Sequence, residues 1–227
     1  SLLQKERPAL QMAIVIKIGA NNMNTTNNYF KNKNTNMKKL FSLLIVAFLS
    51  ASLLAQTKWN ADPMHSRLTF SVIHMGISDV EGLFNKFTAS AAATQADFSD
   101  AVFELSVEVP SINTQVEMRD NHLRSADFFE VEKYPSMDFK STSIVWVSKN
   151  RYKLTGNLTL RGITKQVTMD LWYRGTNVDA KTNKSTAGFQ LTGVIKRSDF
   201  NVGPKFPAPM LSDEVKIKAD GEFISEG

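Results

Sequence analysis

The sequence has 227 residues, contains no cysteine and carries a formal charge of +5. The lack of cysteine excludes disulfides, thiolate metal sites and a cysteine nucleophile. The basic excess lies near the start, because residues 1–55 hold seven of the 27 Lys and Arg but only one of the 22 acids. The 20 bases and 21 acids that are left give residues 56–227 a charge of about −1, which argues against binding to nucleic acid or to an anionic membrane surface.

Residues 37–55 have the composition of an export signal. Met37-Lys38-Lys39 supplies a short positive start, Leu40–Leu54 is apolar, and cleavage is predicted between Ala55 and Gln56. The apolar run is shorter than the roughly 20 residues that span a membrane, so an uncleaved anchor is the less favoured alternative. We therefore expect a periplasmic protein whose mature chain has no stable membrane insertion.

Residues 1–36 precede this signal and are rich in Asn and Thr from Asn21 onwards. Because an export signal normally stands at the N-terminus, we interpret this segment as a mis-called or disordered extension. The expected organisation is therefore an extension at 1–36, a signal peptide at 37–55 and one folded domain at 56–227, which is long enough for a sizeable core.

The folded domain consists almost entirely of segments with alternating apolar residues, a pattern typical of half-buried β-strands. The segments are Leu68–His74, Gly82–Ala93, Phe103–Val109, Met137–Val147, Arg151–Leu160, Val167–Tyr173, Phe189–Ile195 and Val215–Ala219. Short turns such as Lys149-Asn150 and Arg161-Gly162 join several of them, and the apolar parity slips at Ser141–Ser143, which predicts a bulge. An antiparallel meander must protect its edges, and closure removes them. We therefore predict an all-β fold, an eight-stranded antiparallel β-barrel, with a β-sandwich as the alternative.

The segment from Asn113 to Ser141 interrupts this alternation. The strand before it ends at Pro110, which cannot donate to a sheet ladder, and the apolar spacing becomes helical from Thr114. Thr114 and Glu117 fit a capping box at the start of a helix. We predict a short helical insertion around residues 115–130, which either closes the end of the core or forms a plug or lid over a cavity.

Small residues punctuate several apolar faces, at Ala89, Ala91, Ala93, Gly156, Ala187 and Gly193. Two interpretations are open. Small inward-facing side chains leave volume that a solid core would fill, which favours a hollow interior. Alternatively, these residues mark the bends that a closed barrel needs, and the residues alone favour neither interpretation.

No motif in the sequence predicts catalysis or a metal site. The three histidines, His65, His74 and His122, are far apart in sequence and lack metal-ligand spacing. We also find no arrangement of a nucleophile, a base and an orienting group. No catalytic residue, metal or cofactor is therefore expected.

The last motif is Arg197–Phe200, which is followed by the proline-rich segment Asn201–Pro209. Proline cannot form ladder bonds, and stiff loops of this kind lie at the rims of barrel mouths. Arg197 either pairs with Asp199 or Asp213 for structural reasons or meets a polar ligand headgroup, because a guanidinium recognises phosphates bidentately.

Several motifs in a fixed order resemble the YceI-like family, over roughly Trp59 to Ile224. They are His65-Ser66, Gly82-Leu83-Phe84, Arg119–Leu123, Asp127-Phe128-Phe129, Gly156–Lys165, Arg197–Phe200 and Asp213-Glu214-Val215. The resemblance implies a periplasmic, lipocalin-like barrel without established catalysis, whose elongated apolar cavity takes an isoprenoid or fatty chain with the headgroup near the mouth. Asn201 stands where the family often has Gly, and Asn also tolerates positive φ.

From the residues and the resemblance together we expect a carrier of a polyprenyl, quinone-like or fatty-chain lipid. The candidate cavity-lining residues are Leu68, Phe70, Val72, His74, Phe84, Phe103, Leu105, Phe128, Phe129, Phe139, Leu158 and Phe189. The headgroup candidates are Arg119, His122, Arg197 and Asp199. The alternatives are an enzyme that acts on such a lipid with a histidine base, and a filled barrel that serves as an interaction module. A homodimer is one option for its assembly.

Overall fold

The computed structural model describes residues 56–226, so the predicted extension at 1–36 and the predicted export signal at 37–55 lie outside the described residues. The described part forms eleven β-strands and one α-helix. In chain order they are β1 (Thr57–Ala61), β2 (Arg67–His74), β3 (Ser78–Phe84), β4 (Phe87–Ala93), β5 (Val102–Glu108), β6 (Ile112–Asn113), α1 (Glu117–Arg124), β7 (Ser136–Ser148), β8 (Arg151–Leu160), β9 (Ile163–Val178), β10 (Ser185–Lys196) and β11 (Glu214–Ser225). No helix in this part of the chain is long and apolar enough to cross a membrane.

The eleven strands occupy eight positions in one closed antiparallel barrel. The pairing runs β1-β4-β5-β7-β8-β9-β10-β11, and β11 closes the barrel by pairing with β1. β11 also pairs with β2, because β1 and β2 are two parts of one interrupted position. β3 and β4 form a second interrupted position, and β5 and β6 form a third. The predicted eight-stranded antiparallel barrel is confirmed, and the sandwich alternative is wrong.

Three short breaks divide these interrupted positions. They lie at residues 62–66, at Asn85-Lys86 and at a 3-10 turn, Val109–Ser111, which contains the Pro110 that was predicted to end its strand. The run Gly82–Ala93, expected as one strand, is therefore two. β1 was missed altogether, because five residues directly after the apolar leader are too few to show a period.

The β7–β8 hairpin contains the predicted bulge. The register of the two strands shifts between Ser141 and Ser143, and the buried Ser141 Oγ accepts a 2.8 Å hydrogen bond from the backbone N–H of Phe103. Asn150 turns the chain with a φ of 59°, a left-handed conformation that Asn tolerates better than most residues. The bulge and the turn together hold the register of this hairpin.

Helix α1 lies inside the predicted insertion, but the predicted capping box is wrong. The N-cap is Val116, which makes no side-chain capping bond. Gln115 has a φ of 64°, and the chain turns there before the helix begins. The backbone N–H and Oγ1 of Thr114 both donate to Oδ1 of Asp120, at 2.8 and 2.5 Å. A buried carboxylate within the helix therefore ties down the preceding segment, and Glu117 takes no part.

The small residues in the strands make room for neighbouring side chains. A Cβ on Gly156 would lie 2.4 Å from the ring of Phe139, and a Cβ on Gly193 would lie 2.0 Å from Sδ of Met169. At Gly156 a Cβ would also lie 2.5 Å from the backbone carbonyl oxygen of Lys140, and at Gly193 it would displace the Met169 side chain. These two glycines therefore add no empty volume, whereas Ala89 from the same set lines a small void.

Candidate ligand-binding cavity

The barrel interior has two halves, and the first, which we call the filled half, is packed with aromatic rings. At its centre is Phe98, which folds inward from the β4–β5 loop and is 1% exposed. The centroid of its ring lies 4.8 Å from that of Phe189, 5.0 Å from that of Tyr173 and 5.2 Å from that of Trp59. Such edge-on and tilted contacts are favourable beyond simple burial of area. This end of the barrel is closed.

The second half, which we call the hollow half, contains a cavity of about 380 Å³. Its apolar lining consists of Phe70, Val72, Val80, Phe84, Leu123, Phe128, Phe129, Met137, Leu160, Ile195, Val202, Phe206, Met210, Leu211, Val215 and Ile217. Five polar residues complete the wall: His74, Thr114, Arg119, His122 and Arg197. A concave, mostly apolar space with a few polar groups is the usual form of a small-molecule site, and this volume lies within the usual range.

Two segments arch over the open end of the hollow half. One comprises α1 and the turns after it, and the other is the loop 201–211. The rings of Phe128 and Phe206, one from each segment, stack at 4.8 Å with an interplanar angle of 13°. The His122 ring packs edge-on against both, at 5.1 and 5.5 Å. These contacts join the two segments above the cavity and make them its roof.

Arg197 holds the 201–211 loop in place. It is 7% exposed, and its guanidinium donates to five backbone carbonyls: Nε to Ser212 at 2.9 Å, Nη1 to Val202 at 3.0 Å and Gly203 at 2.7 Å, and Nη2 to Leu211 at 3.0 Å and to Phe206. Its five N–H groups are thereby engaged. Of the two roles left open for Arg197, the structure gives it the structural one, through carbonyls and not through a pair with Asp199.

Asp213, just after the same loop, is bonded to the 3-10 turn Arg197–Phe200 just before it. Its two carboxylate oxygens accept from the backbone N–H of Ser198 at 2.9 Å and from the Ser198 hydroxyl at 2.8 Å. Burial tends to raise the pKa of Asp213, but the Ser198 hydrogen bonds and the nearby Arg197 outweigh it, and the pKa is lowered. The charged carboxylate is therefore the stable form beside the loop.

A polar group lies at the mouth, around Asp127. Lys205 Nζ lies 2.7 Å from Oδ1 of Asp127, and His122 Nε2 lies 3.2 Å from Oδ2. Hydrogen bonding from Lys205 and then from His122 lowers the pKa of Asp127. Nearby, Arg119 donates from Nε and Nη2 to the Oγ1 and carbonyl oxygen of Thr114, at 2.7 and 2.8 Å. Within residues 56–226, Arg119 Nη1 makes no hydrogen bond.

The structure divides the predicted lining residues between two spaces. Those on the wall of the 380 Å³ cavity are Phe70, Val72, His74, Phe84, Phe128 and Phe129, together with the headgroup candidates Arg119, His122 and Arg197. A smaller void of about 90 Å³ touches Leu68, Phe103, Leu105, Phe139 and Phe189. Contact of any of these residues with a ligand stays a prediction.

Two predicted site residues line neither space. Leu158 is buried in the apolar cluster that contains Met169 and Ile195, because its inward position on β8 falls between the two voids. Asp199 is exposed in the 3-10 turn that follows β10. Their assignments to the cavity wall and to the headgroup are corrected accordingly.

Sequence reasoning missed much of the roof and part of the wall. The proline-rich loop was predicted to lie at the mouth, and it contributes Val202, Phe206 and Leu211 to the cavity. Irregular backbone has no alternation of side chains, so the sequence did not show which residues of the loop point inward. Val215 and Ile217 were visible in the alternation of β11 and were not selected. The alternation predicted that both side chains point inward, but it did not predict how far along the barrel axis they lie.

His65 lies away from the cavity, beside Asp62 and Glu222. Its Nδ1 is 2.6 Å from Oδ2 of Asp62 and 3.9 Å from Oε2 of Glu222. Hydrogen bonding to Asp62 raises the pKa of His65, with a smaller contribution from Glu222. Within residues 56–226 these three side chains are the one group that brings three potential metal ligands within 4.8 Å of each other. His65 and Glu222 are exposed to solvent.

Comparisons with known proteins agree with this architecture. The family model of the YceI-like domain matches residues 59–223. UPF0312 protein SA2479 of Staphylococcus aureus (strain N315) is 34% identical over 175 residues, which cover 75% of this chain and 99% of that protein. The crystal structure of the Campylobacter jejuni YCEI protein aligns with a TM-score of 0.62 at 32% identity, over 68% of this chain and 89% of that one. A polyisoprenoid binding domain from Saccharophagus degradans aligns with a TM-score of 0.56 at 15% identity, over 74% of this chain and 98% of that one, and therefore shares the fold.

Proposed function

The chain belongs to the YceI-like family. From this membership and from the cavity in the hollow half, we propose that it binds one long-chain amphiphilic lipid inside the barrel. The observation that carries the proposal is the 380 Å³ cavity with sixteen apolar and five polar lining residues. An apolar chain needs no directional contact there, because each methylene removed from water is worth about 0.8 kcal/mol. An isoprenoid or a fatty chain fits this requirement equally.

The polar end of the ligand is assigned to the mouth. Arg119 Nη1 is a donor without a partner in the described part of the chain, and the His122 ring and Lys205 lie on Asp127 at the same opening. A phosphate, carboxylate or quinone oxygen at this point would accept from Arg119 while its tail stays in the apolar space. The tail would thus point from the mouth toward the filled half.

A soluble carrier outside the cytoplasm is the setting we propose for this binding. The composition of residues 37–55 supports export, and the structural neighbour from Saccharophagus degradans is a polyisoprenoid binding domain. A lipid held in the barrel would cross the aqueous periplasm without exposing its tail. The homodimer considered from the sequence stays a prediction.

Binding fits the site better than the two alternatives. An interaction module with a filled barrel would not contain a 380 Å³ cavity. Covalent catalysis would pair a base with a nucleophilic side chain, whereas His122 at the mouth contacts a carboxylate and two phenyl rings. His65 lies away from the cavity altogether. The positions of His65 and His122 therefore give no reason to add a reaction to the binding.

The test compares two tryptophan variants on the same strand. Ile217 points into the cavity, whereas its neighbour Lys216 points outward and is 65% exposed. We expect Ile217→Trp to weaken the binding of a C12 fatty acid at least about tenfold, since the indole takes the space of several methylenes. Lys216→Trp should bind as the parent does.

Calorimetric titration gives the affinities, and native mass spectrometry of protein purified from an exporting host gives the mass of any co-purified lipid. Equal binding by the two variants, or no binding by the parent, would contradict a ligand site in the hollow half. A chemically altered lipid released from the protein would instead favour the enzyme alternative.

A further inference from the structure

The two internal voids lie in sequence along the barrel, with a layer of side chains between them. On β2 the smaller void is lined by Leu68 and the larger by Phe70. On β11 the order is the same, with Ala219 on the smaller void and Ile217 on the larger. Residues two apart on a strand share a face and are successive along it. The voids are therefore consecutive compartments of one interior.

The layer between them, which we call the partition, consists of Phe139, Leu158, Met169 and Leu191. Phe139 and Leu191 line the smaller void and also pack against the apolar cluster of the hollow half. Leu158 and Met169 belong to that cluster and line neither void. These four side chains, from the neighbouring strands β7 to β10, lie at the level where the two compartments meet.

The partition is held by two glycines. The Phe139 ring occupies the space above Gly156, and Met169 Sδ occupies the space above Gly193, so closely that a Cβ on either glycine would collide with them. The Phe139 ring and the Met169 thioether therefore pack directly against the backbone of these glycines, as closely as side chains in a protein core normally do. The partition is consequently a built part of the packing.

We propose that the partition sets the length of lipid tail that this protein can bury, an inference that rests on the proposed binding function. A volume of 380 Å³ accommodates about a dozen methylene-sized groups at roughly 30 Å³ each. With the headgroup at the mouth beside Arg119, a tail of about twelve carbons reaches the partition and stops. Carbons beyond the partition add no contact, so a longer tail binds no more tightly than one that just reaches it.

The test measures the affinity of the mature protein for saturated fatty acids from C8 to C20, by displacement of a fluorescent probe and by calorimetry. Affinity should rise about fourfold with each added carbon, the equivalent of one buried methylene, and should stop rising near C12 to C14. A continuous rise to C20 in the parent overturns the length limit while leaving lipid binding intact. Failure of every chain length to bind overturns the proposed function, and the length limit with it.

Variants of the partition locate the stop. Phe139→Ala should join the compartments and move the plateau by at least about three carbons, because the 90 Å³ void holds about three such groups. Leu191→Ala opens the same layer at a different side chain, and it replaces Phe139→Ala in the test if that variant does not fold.

A substitution in the smaller void, made alone and together with Phe139→Ala, serves as the control. Ala219→Leu, which fills the smaller void, should leave the plateau of the parent unchanged and should reverse the gain of Phe139→Ala. A plateau that Phe139→Ala and Leu191→Ala fail to move, or that Ala219→Leu alone shortens, overturns the assignment of the partition.

Discussion

The two halves of this barrel share most of their strands and the same alternation of side chains, yet one is packed with rings and the other contains a cavity. In the filled half, Phe98 enters from a loop and makes three ring contacts at about 5 Å. In the hollow half, the roof residues Phe128 and Phe206 stack on each other and leave the space beneath them open. What the loops do with their aromatic side chains therefore decides whether a barrel end is filled.

Three breaks in the strands fall between the two halves. β1, β4 and the start of β5 belong to the filled half. β2, β3 and β6 continue the same three positions after breaks at 62–66, Asn85-Lys86 and Val109–Ser111. Each break divides one position of the barrel into two strands.

The largest difference between the halves should appear in stability. Phe98→Ala removes a ring that is 1% exposed, and we expect the free energy of unfolding to fall by about 3–5 kcal/mol. Phe70→Ala removes a half-buried ring that already faces the cavity, so fewer contacts are lost, and the decrease should be less than half as large. Urea denaturation monitored by circular dichroism measures both. Equal losses would mean that the hollow half is packed as tightly as the filled one.

A smaller effect should follow from loosening the roof. Arg197→Lys keeps the charge but loses the planar fork that serves five carbonyls, and several carbonyls are left without a donor. We expect a loss of about 1–3 kcal/mol in the free energy of unfolding and faster hydrogen exchange in residues 201–211, with little change in the filled half. Arg67→Lys, at an exposed position, should change neither quantity. Uniform acceleration of exchange across the barrel would show that Arg197 supports the whole fold and not the roof.

The smallest effect concerns the joint between β1 and β2, where His65 pairs with Asp62. Because hydrogen bonding to Asp62 raises the pKa of His65, the protonated ring favours the folded state. Its contribution to stability is complete below the unfolded pKa of about 6.5 and is lost as the pH rises through the higher folded value.

Titration of the His65 ring by NMR checks this sign. Asp62→Asn should bring the pKa of His65 back toward 6.5, and Glu222→Gln should lower it less, because that carboxylate acts through charge at 3.9 Å and not through a hydrogen bond. A His65 that titrates at or below 6.5 in the parent protein would remove this pair as a stabiliser of the joint.

Local sequence patterns were sufficient for the architecture. Alternation over Phe103–Val109 and Arg151–Leu160, tight turns at Asn150 and Arg161-Gly162, and the parity slip at Ser141–Ser143 predicted a closed antiparallel barrel with a bulge, and the structure confirms both. These features are local because a strand period and a turn conformation depend on a few neighbouring residues. The predicted helix around 115–130 was confirmed for the same reason, although its capping was not, since Thr114 and Asp120 meet through a turn at Gln115 that the spacing did not reveal.

The tertiary structure alone decided where the barrel is hollow. Leu105, Phe103 and Phe189 share the inward parity of Phe70 and Phe84, yet the first three lie beyond the partition and the last two line the cavity. The alternation of a strand predicts which side chains point inward but not how deep in the barrel they lie. A void depends on which side chains from distant strands and loops meet at one level. The packing of Phe139 over Gly156 and the inward position of Phe98 are contacts of this kind. For this reason the sequence determined the strands of the barrel wall but not where its interior is filled and where it is empty.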